Sequence, residues 1–201
     1  MSDRIVALAT ELRTRLISAH PPLEKRLRPG LAPEQSRELA ASYDVTLTDE
    51  AVAYFSVLNG FDNPHAQPQS ELHIVGMRWL DSLEEALKHY QRFWEFDETD
   101  ADMYPEFWET DPTPTPPLRF IGEDSVYFYA LDLRGEGRPV WSMDRELGMS
   151  VSFLSLEAML ATLNAWLAAG VLIFRDGEWS ETSREQARKI ATDLSPGVDH
   201  W

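Results

Sequence analysis

Apolar residues recur at three- and four-residue steps in the first part of the chain and shift toward alternation in the second, so the pattern predicts helices followed by a sheet. Ile5, Leu8, Leu12 and Leu16 share one helical face, and that helix stops before Pro21-Pro22. A short helix follows Pro33, with Leu39 and Tyr43 on its inner side. Thr48 is a good N-cap for the next helix: Leu47 and Val52 are spaced as a hydrophobic staple, Phe55 and Leu58 continue the face, and Asn59-Gly60 ends it. Residues 71–80 read as a strand carrying Leu72, Ile74 and Val75. Asp81-Ser82 then caps a helix, Glu85 completes a capping box, and Leu83, Leu87, Tyr90 and Trp94 form the apolar stripe.

Residues 97–117 contain Pro105, Pro112, Pro114, Pro116 and Pro117 and read as an irregular connection. Alternation resumes at 118–121, 126–133, 139–143 and 149–153, which predicts four strands. Residues 134–138 between two of them form a hairpin turn, with positive φ expected at both Gly135 and Gly137. Ser155 caps a helix carrying Leu156, Met159, Leu160, Leu163 and Trp166, and Gly170 stops it. An edge strand is expected at 171–174. A capping box at Thr182 and Glu185 opens a last helix through Ala187, Ile190 and Leu194, ending at Ser195-Pro196-Gly197. This order predicts an α+β fold with a central antiparallel sheet flanked by helices. Its expected organisation is an N-terminal helical arm (1–32), an α+β domain (33–175) and a C-terminal helix and tail (176–201).

With 201 residues and 43% hydrophobic content the chain can bury a core, which removes disordered classes. The 34 acidic side chains outnumber the 18 basic ones, a net charge of -16 that argues against nucleic-acid backbones and for a basic partner. The absence of cysteine excludes disulfides, thiolate zinc sites and thiol nucleophiles, and fits a reducing compartment. The first ten residues, MSDRIVALAT, do not read as an export signal. The apolar stretch at 158–174 is short for a membrane span and is broken by Thr162, Asn164 and Gly170. The expectation is a cytoplasmic protein without a membrane segment.

Four strings then line up in order: AVAYFSVLNGF (51–61), VYFYALDL (126–133), PVWSMD (139–144) and SLEAMLATL (155–163). Together they resemble the SUKH superfamily, which includes yeast cell-wall-assembly regulators and many bacterial immunity proteins. The likeness covers residues 34–174, and the C-terminal LSPGVDHW is similar to a tail of some bacterial members. Glu123-Asp124-Ser125 departs from the glycine and asparagine that members often keep before the tyrosine-rich strand. The resemblance implies a non-catalytic protein-binding domain without a cofactor. Its bacterial form is an immunity protein that binds a toxin, often a nuclease; its fungal form is a cytosolic regulator or scaffold with a resident partner.

The candidate partner-binding residues lie where charge and aromatics interleave. Eight carboxylates fall between Phe93 and Leu118 with no Lys or Arg among them, and Trp94, Phe96, Tyr104, Phe107 and Trp108 are interspersed. Asp97, Glu98, Asp100, Asp102, Glu106 and Glu109 are expected to steer a basic toxin domain, with Tyr104 and Trp108 as anchors. The bland alternative is a solvated acidic loop whose aromatics fold back onto the core. A calcium loop counted from Asp100 fails, because Pro105 stands where the turn needs glycine. The competing enzyme reading is a hydrolase using Asp124, Asp132 or Asp144. His20, His65, His73, His89 and His200 lack metal-ligand spacing, so no metal is expected. Trp94 and Trp166 are expected in the core, and Trp108 and Trp201 at interfaces.

Overall fold

Ile5, Leu8, Leu12 and Leu16 line the buried face of the first helix, α1 (Ser2–Ala19), in a computed structural model that describes residues 2–62, 69–74, 78–93, 117–122, 127–144 and 148–198. The other helices are α2 (Pro33–Ala41), α3 (Asp49–Phe55), α4 (Leu83–Phe93), α5 (Leu156–Ala168) and α6 (Arg184–Leu194). Helix α1 packs most extensively on α5, where the buried Asn164 side-chain amide donates to the carbonyls of Leu8 (2.9 Å) and Leu160 (3.0 Å). The first helix is thus part of the same apolar core as the helices and strands that follow. In α2 it is Ser36 and Ala40 that are buried, while Leu39 and Tyr43 pack against the core from its margin.

Three of the expected caps form. Thr48 Oγ1 accepts the Ala51 N–H at 3.2 Å, Ser82 Oγ accepts that of Glu85 at 3.2 Å, and Ser155 Oγ accepts that of Ala158 at 3.1 Å. Helix α3 nevertheless ends at Phe55, short of Asn59. Its last carbonyl, that of Phe55, accepts the Leu31 N–H (3.0 Å), and the Val57 carbonyl two residues past its end accepts from the Arg13 guanidinium (3.3 Å). The final helix starts one residue later than expected. Ser183 is its N-cap, accepting from Gln186 at 3.3 Å, and the Thr182 hydroxyl donates instead to the Gly170 carbonyl at 2.8 Å.

Five strands form an antiparallel meander in sequential order: β1 (Trp79–Leu80), β2 (Leu118–Gly122), β3 (Tyr127–Leu131), β4 (Val140–Asp144) and β5 (Gly148–Phe153). The fold is α+β. Of the strand expected over 71–80, the end forms β1, Val75 lies outside the described residues, and the part around Leu72 is not extended: Gln69–Glu71 is a 3₁₀ turn, and the Ile74 N–H bonds back to the Leu72 carbonyl at 2.9 Å. Leu72 and Ile74 are both buried, so a tight turn achieves the burial that alternation suggested for a strand. A separate hairpin of β6 (Leu172–Arg175) and β7 (Glu178–Glu181) turns at Asp176-Gly177, whose φ values are 55° and 88°. That dipeptide is a strong hairpin signal, and it marks a strand the alternation pattern missed.

The β3–β4 turn has positive φ at Gly137 but not at Gly135. It is held instead by a reciprocal clasp. Asp49 and Glu50 N–H groups at the start of α3 donate to the two Glu136 carboxylate oxygens (2.6 and 3.1 Å), and Gly137 N–H donates to Glu50 Oε2 (2.8 Å). Burial pushes the Glu50 carboxyl above its ordinary value, the Gly137 bond opposing it. Glu136 acts as an N-terminal cap supplied from 87 residues away. Glu136→Ala is expected to cost about 1 kcal/mol in urea unfolding, as loss of a cap does; an unchanged midpoint would show the clasp to be idle.

Candidate functional site

Strand β3 reads YFYAL, apolar on both faces, and β4 adds Val140 to one face and Trp141 and Met143 to the other, so each face of the sheet needs cover. One face, with Tyr129, Leu131, Val140 and Phe153, joins the helices in the main core. The other gathers Phe128, Ala130, Trp141 and Met143 into a second cluster, flanked by the partly buried Met149 and Val151. Cross-strand register makes two rows of it, Phe128–Met143–Met149 and Ala130–Trp141–Val151. Among the described residues no helix contributes a side chain to this second cluster.

Arg119 of β2 stands opposite Ala130, on the same face, with its guanidinium carbon 5.9 Å from the centre of the Phe128 ring. Its Nε donates to Asp81 Oδ2 at 2.8 Å, and Nη2 reaches Oδ1 at 3.5 Å. Both partners are almost fully enclosed, Arg119 at 5% and Asp81 at 3% exposure. Asp81 follows β1 and precedes α4, and its own N–H donates to the Phe120 carbonyl at 3.0 Å, so the pair ties the sheet to the helix start. Burial pushes the Asp81 carboxyl up to about 6, against the opposing pull of Arg119. The Tyr54 phenol is raised by burial first and by the Asp81 charge second, and its hydroxyl makes no hydrogen bond among the described residues. With both Asp81 oxygens engaged by one guanidinium, this group is an internal brace. The sequence reading took Asp81 only as a helix cap; the available signal was a lone arginine inside the apolar run LRFIG.

Of the carboxylates in the enzyme reading, the two described ones, Asp132 and Asp144, are not brought together. Asp132 closes the end of β3, accepting from the Arg134 N–H (3.0 Å), Nε (2.8 Å) and Nη2 (2.6 Å). Burial alone would raise that carboxyl, but the Arg134 bonds outweigh it and hold it below its ordinary range. Asp144 sits opposite Tyr127 at the far end of β4, roughly 13 Å along the strand from the Asp132 end. Asp124 lies outside the described residues.

So do Asp97, Glu98, Asp100, Asp102, Tyr104, Glu106, Trp108 and Glu109, the expected partner-binding residues, together with Trp94 and Trp201. What is described is where that segment is tethered. It follows α4 and precedes Pro117, which is buried at the start of β2, and α4 packs on β2. No family model and no curated protein matches this chain. Of the tryptophans described, Trp79, Trp141, Trp166 and Trp179 are all buried, as expected for Trp166, whose Nε1 donates to the Ala187 carbonyl at 3.0 Å.

Two smaller features lie elsewhere in the fold. A groove of about 280 Å³ between α1, α2 and α3 is lined by Val6, Val52 and Ala53, with the exposed Arg37–Asp49 pair (2.8 Å) in its wall. His20 stacks on Phe174 at 3.8 Å with Nε2 3.5 Å from Glu71 Oε2. Among the described residues no group of three His, Asp or Glu is placed to hold a metal ion, and no helix is long and apolar enough to cross a membrane.

Proposed function

We propose that this chain is a non-catalytic protein-binding domain, an immunity protein of the SUKH type acting in the cytoplasm, which neutralises a cognate basic toxin domain by direct binding. The observation that carries this reading is charge concentration. Residues 94–116 hold eight of the 34 acidic side chains and none of the 18 basic ones, interleaved with Tyr104 and Trp108. The ordered SUKH-like strings on either side support the family side of it. In this reading Asp97, Glu98, Asp100, Asp102, Glu106 and Glu109 accelerate encounter with a cationic surface, and the two aromatics supply desolvated contact. A nuclease domain suits the charge, since a surface that binds phosphate backbones is itself basic.

The test uses the toxin encoded by a neighbouring reading frame, expressed with and without this chain. Rescue of growth and a stable complex are expected. Trp108→Ala should then weaken binding by about 2 kcal/mol, roughly thirtyfold in Kd. Neutralising Asp100 and Asp102 should chiefly slow association, and raising salt should do the same because exposed charges are screened beyond about 8 Å at physiological ionic strength. Salt-independent on-rates with unchanged Trp108→Ala affinity would remove this segment from the mechanism.

A further inference from the structure

Strand β5 is the last strand of the sheet and pairs only with β4 among the described residues. Its sequence, GMSVSF, has no charge and no proline, the usual devices that keep an edge from pairing with another chain. The other edges differ. β1 is two buried residues long, and the β6–β7 hairpin carries Arg175, Glu178 and Glu181. The residue that ends helix α6 reaches the chain just past β5, where the Leu154 N–H lies 3.4 Å from Ser195 Oγ. Along 148–151 the strand is half-buried or exposed, and alternate N–H and C=O groups of an edge strand point away from its neighbour.

We propose that β5 is a self-association edge: two copies of this chain pair antiparallel through β5 about a two-fold axis at Ser150, joining their five-stranded sheets. Side-chain pattern selects a second copy as the occupant. With the axis at Ser150, Met149 of one copy faces Val151 of the other, and Val151 faces Met149, on the face that carries Phe128, Trp141 and Met143. The two apolar rows, which in a single chain end on the partly buried Met149 and Val151, then run on across the junction. On the opposite face the exposed Ser150 meets its own copy. A one-residue slip would set Ser150 against Val151 and break this match, so the register is specified. The interface is isologous, as a closed dimer requires. A strand from a basic protein would find no charge on β5 to answer its own.

The proposal is independent of the toxin reading, and salt separates the two. Each copy carries a net charge of -16, so salt should strengthen self-association while it slows capture of a basic partner. Sedimentation equilibrium of the full chain at about 0.05 M and about 0.5 M salt is expected to show mass rising toward twice the monomer with concentration, more so at the higher salt. Ser150→Lys and Ser150→Glu each place like charges face to face at the axis, and each alone should weaken association more than about tenfold. An equimolar mixture of the two should restore it, with circular dichroism confirming that each variant is folded. A wild-type chain that stays monomeric up to about 1 mM, where a free energy of only about 4 kcal/mol would suffice for pairing, overturns the proposal. So does a Ser150→Lys variant that dimerises like wild type, or two folded variants that fail to complement. Protection of the 148–152 amides by another protein bound to a monomeric chain would assign the edge to that protein and overturn it as well.

Discussion

Asp81→Asn is expected to destabilise the folded chain by about 3–5 kcal/mol, because it leaves the enclosed Arg119 guanidinium without the carboxylate 2.8 Å from its Nε. In a domain of this size that is a fall of about 10 °C in Tm. The opposite truncation, Arg119→Met, should cost a comparable amount near neutral pH but with a different pH signature. Burial already raises the Asp81 carboxyl, and removing Arg119 removes a cause that lowers it. A carboxyl whose folded pKa lies above its unfolded value binds more protons when folded, so stability falls as pH rises through that window. Arg119→Met should therefore be less damaging at pH 5 than at pH 8. Asp81→Asn should lack this dependence, because arginine keeps its charge throughout. Urea unfolding of both variants at the two pH values checks this. A loss under about 1 kcal/mol for Asp81→Asn would mean that the pair is solvated and braces nothing.

Gly60→Ala should cost about 3 kcal/mol, and its partner experiment at Gly170 should cost about half of that or less. Both glycines have left-handed backbones, with φ of 72° and 66°. They differ in what a methyl group would meet. At Gly60 a Cβ would lie 2.3 Å from the Ser82 nitrogen and 2.5 Å from the Asp81 carbonyl carbon, backbone atoms with no freedom to swing away. At Gly170 nothing lies within 4 Å, so only the conformational strain remains. The close approach exists because Asn59, the preceding residue, bridges two distant segments: its Oδ1 accepts the Leu83 N–H at 3.0 Å and its Nδ2 donates to the Pro29 carbonyl at 3.2 Å. Displacing Gly60 therefore disturbs the start of α4 and the Asp81 brace together. Equal losses at the two glycines, measured by the same urea titrations, would show that this contact is slack.

Helices α1 and α5, the caps at Thr48, Ser82 and Ser155, and strands β2 to β5 were legible from sequence because their signals act within one or two turns or along one strand. Period, cap residue and turn glycine are all local. The exceptions are instructive. Leu72 and Ile74 alternate like a strand yet sit in a turn, since burial of two side chains two residues apart does not by itself specify extended backbone. The last carbonyl of α3 went to Leu31 and the Val57 carbonyl just beyond it to Arg13, which no reading of 48–60 could supply. The acidic and aromatic content of 94–116 was equally plain as composition, and it is the basis of the proposed partner surface. Only the tertiary structure decided the rest: that Asp81 pairs with Arg119 from 38 residues away, that Glu136 caps α3 from 87, and which of two apolar faces of the sheet the described helices cover. Each of those choices depends on which distant segments pack together, and a strand apolar on both sides carries no local preference between them.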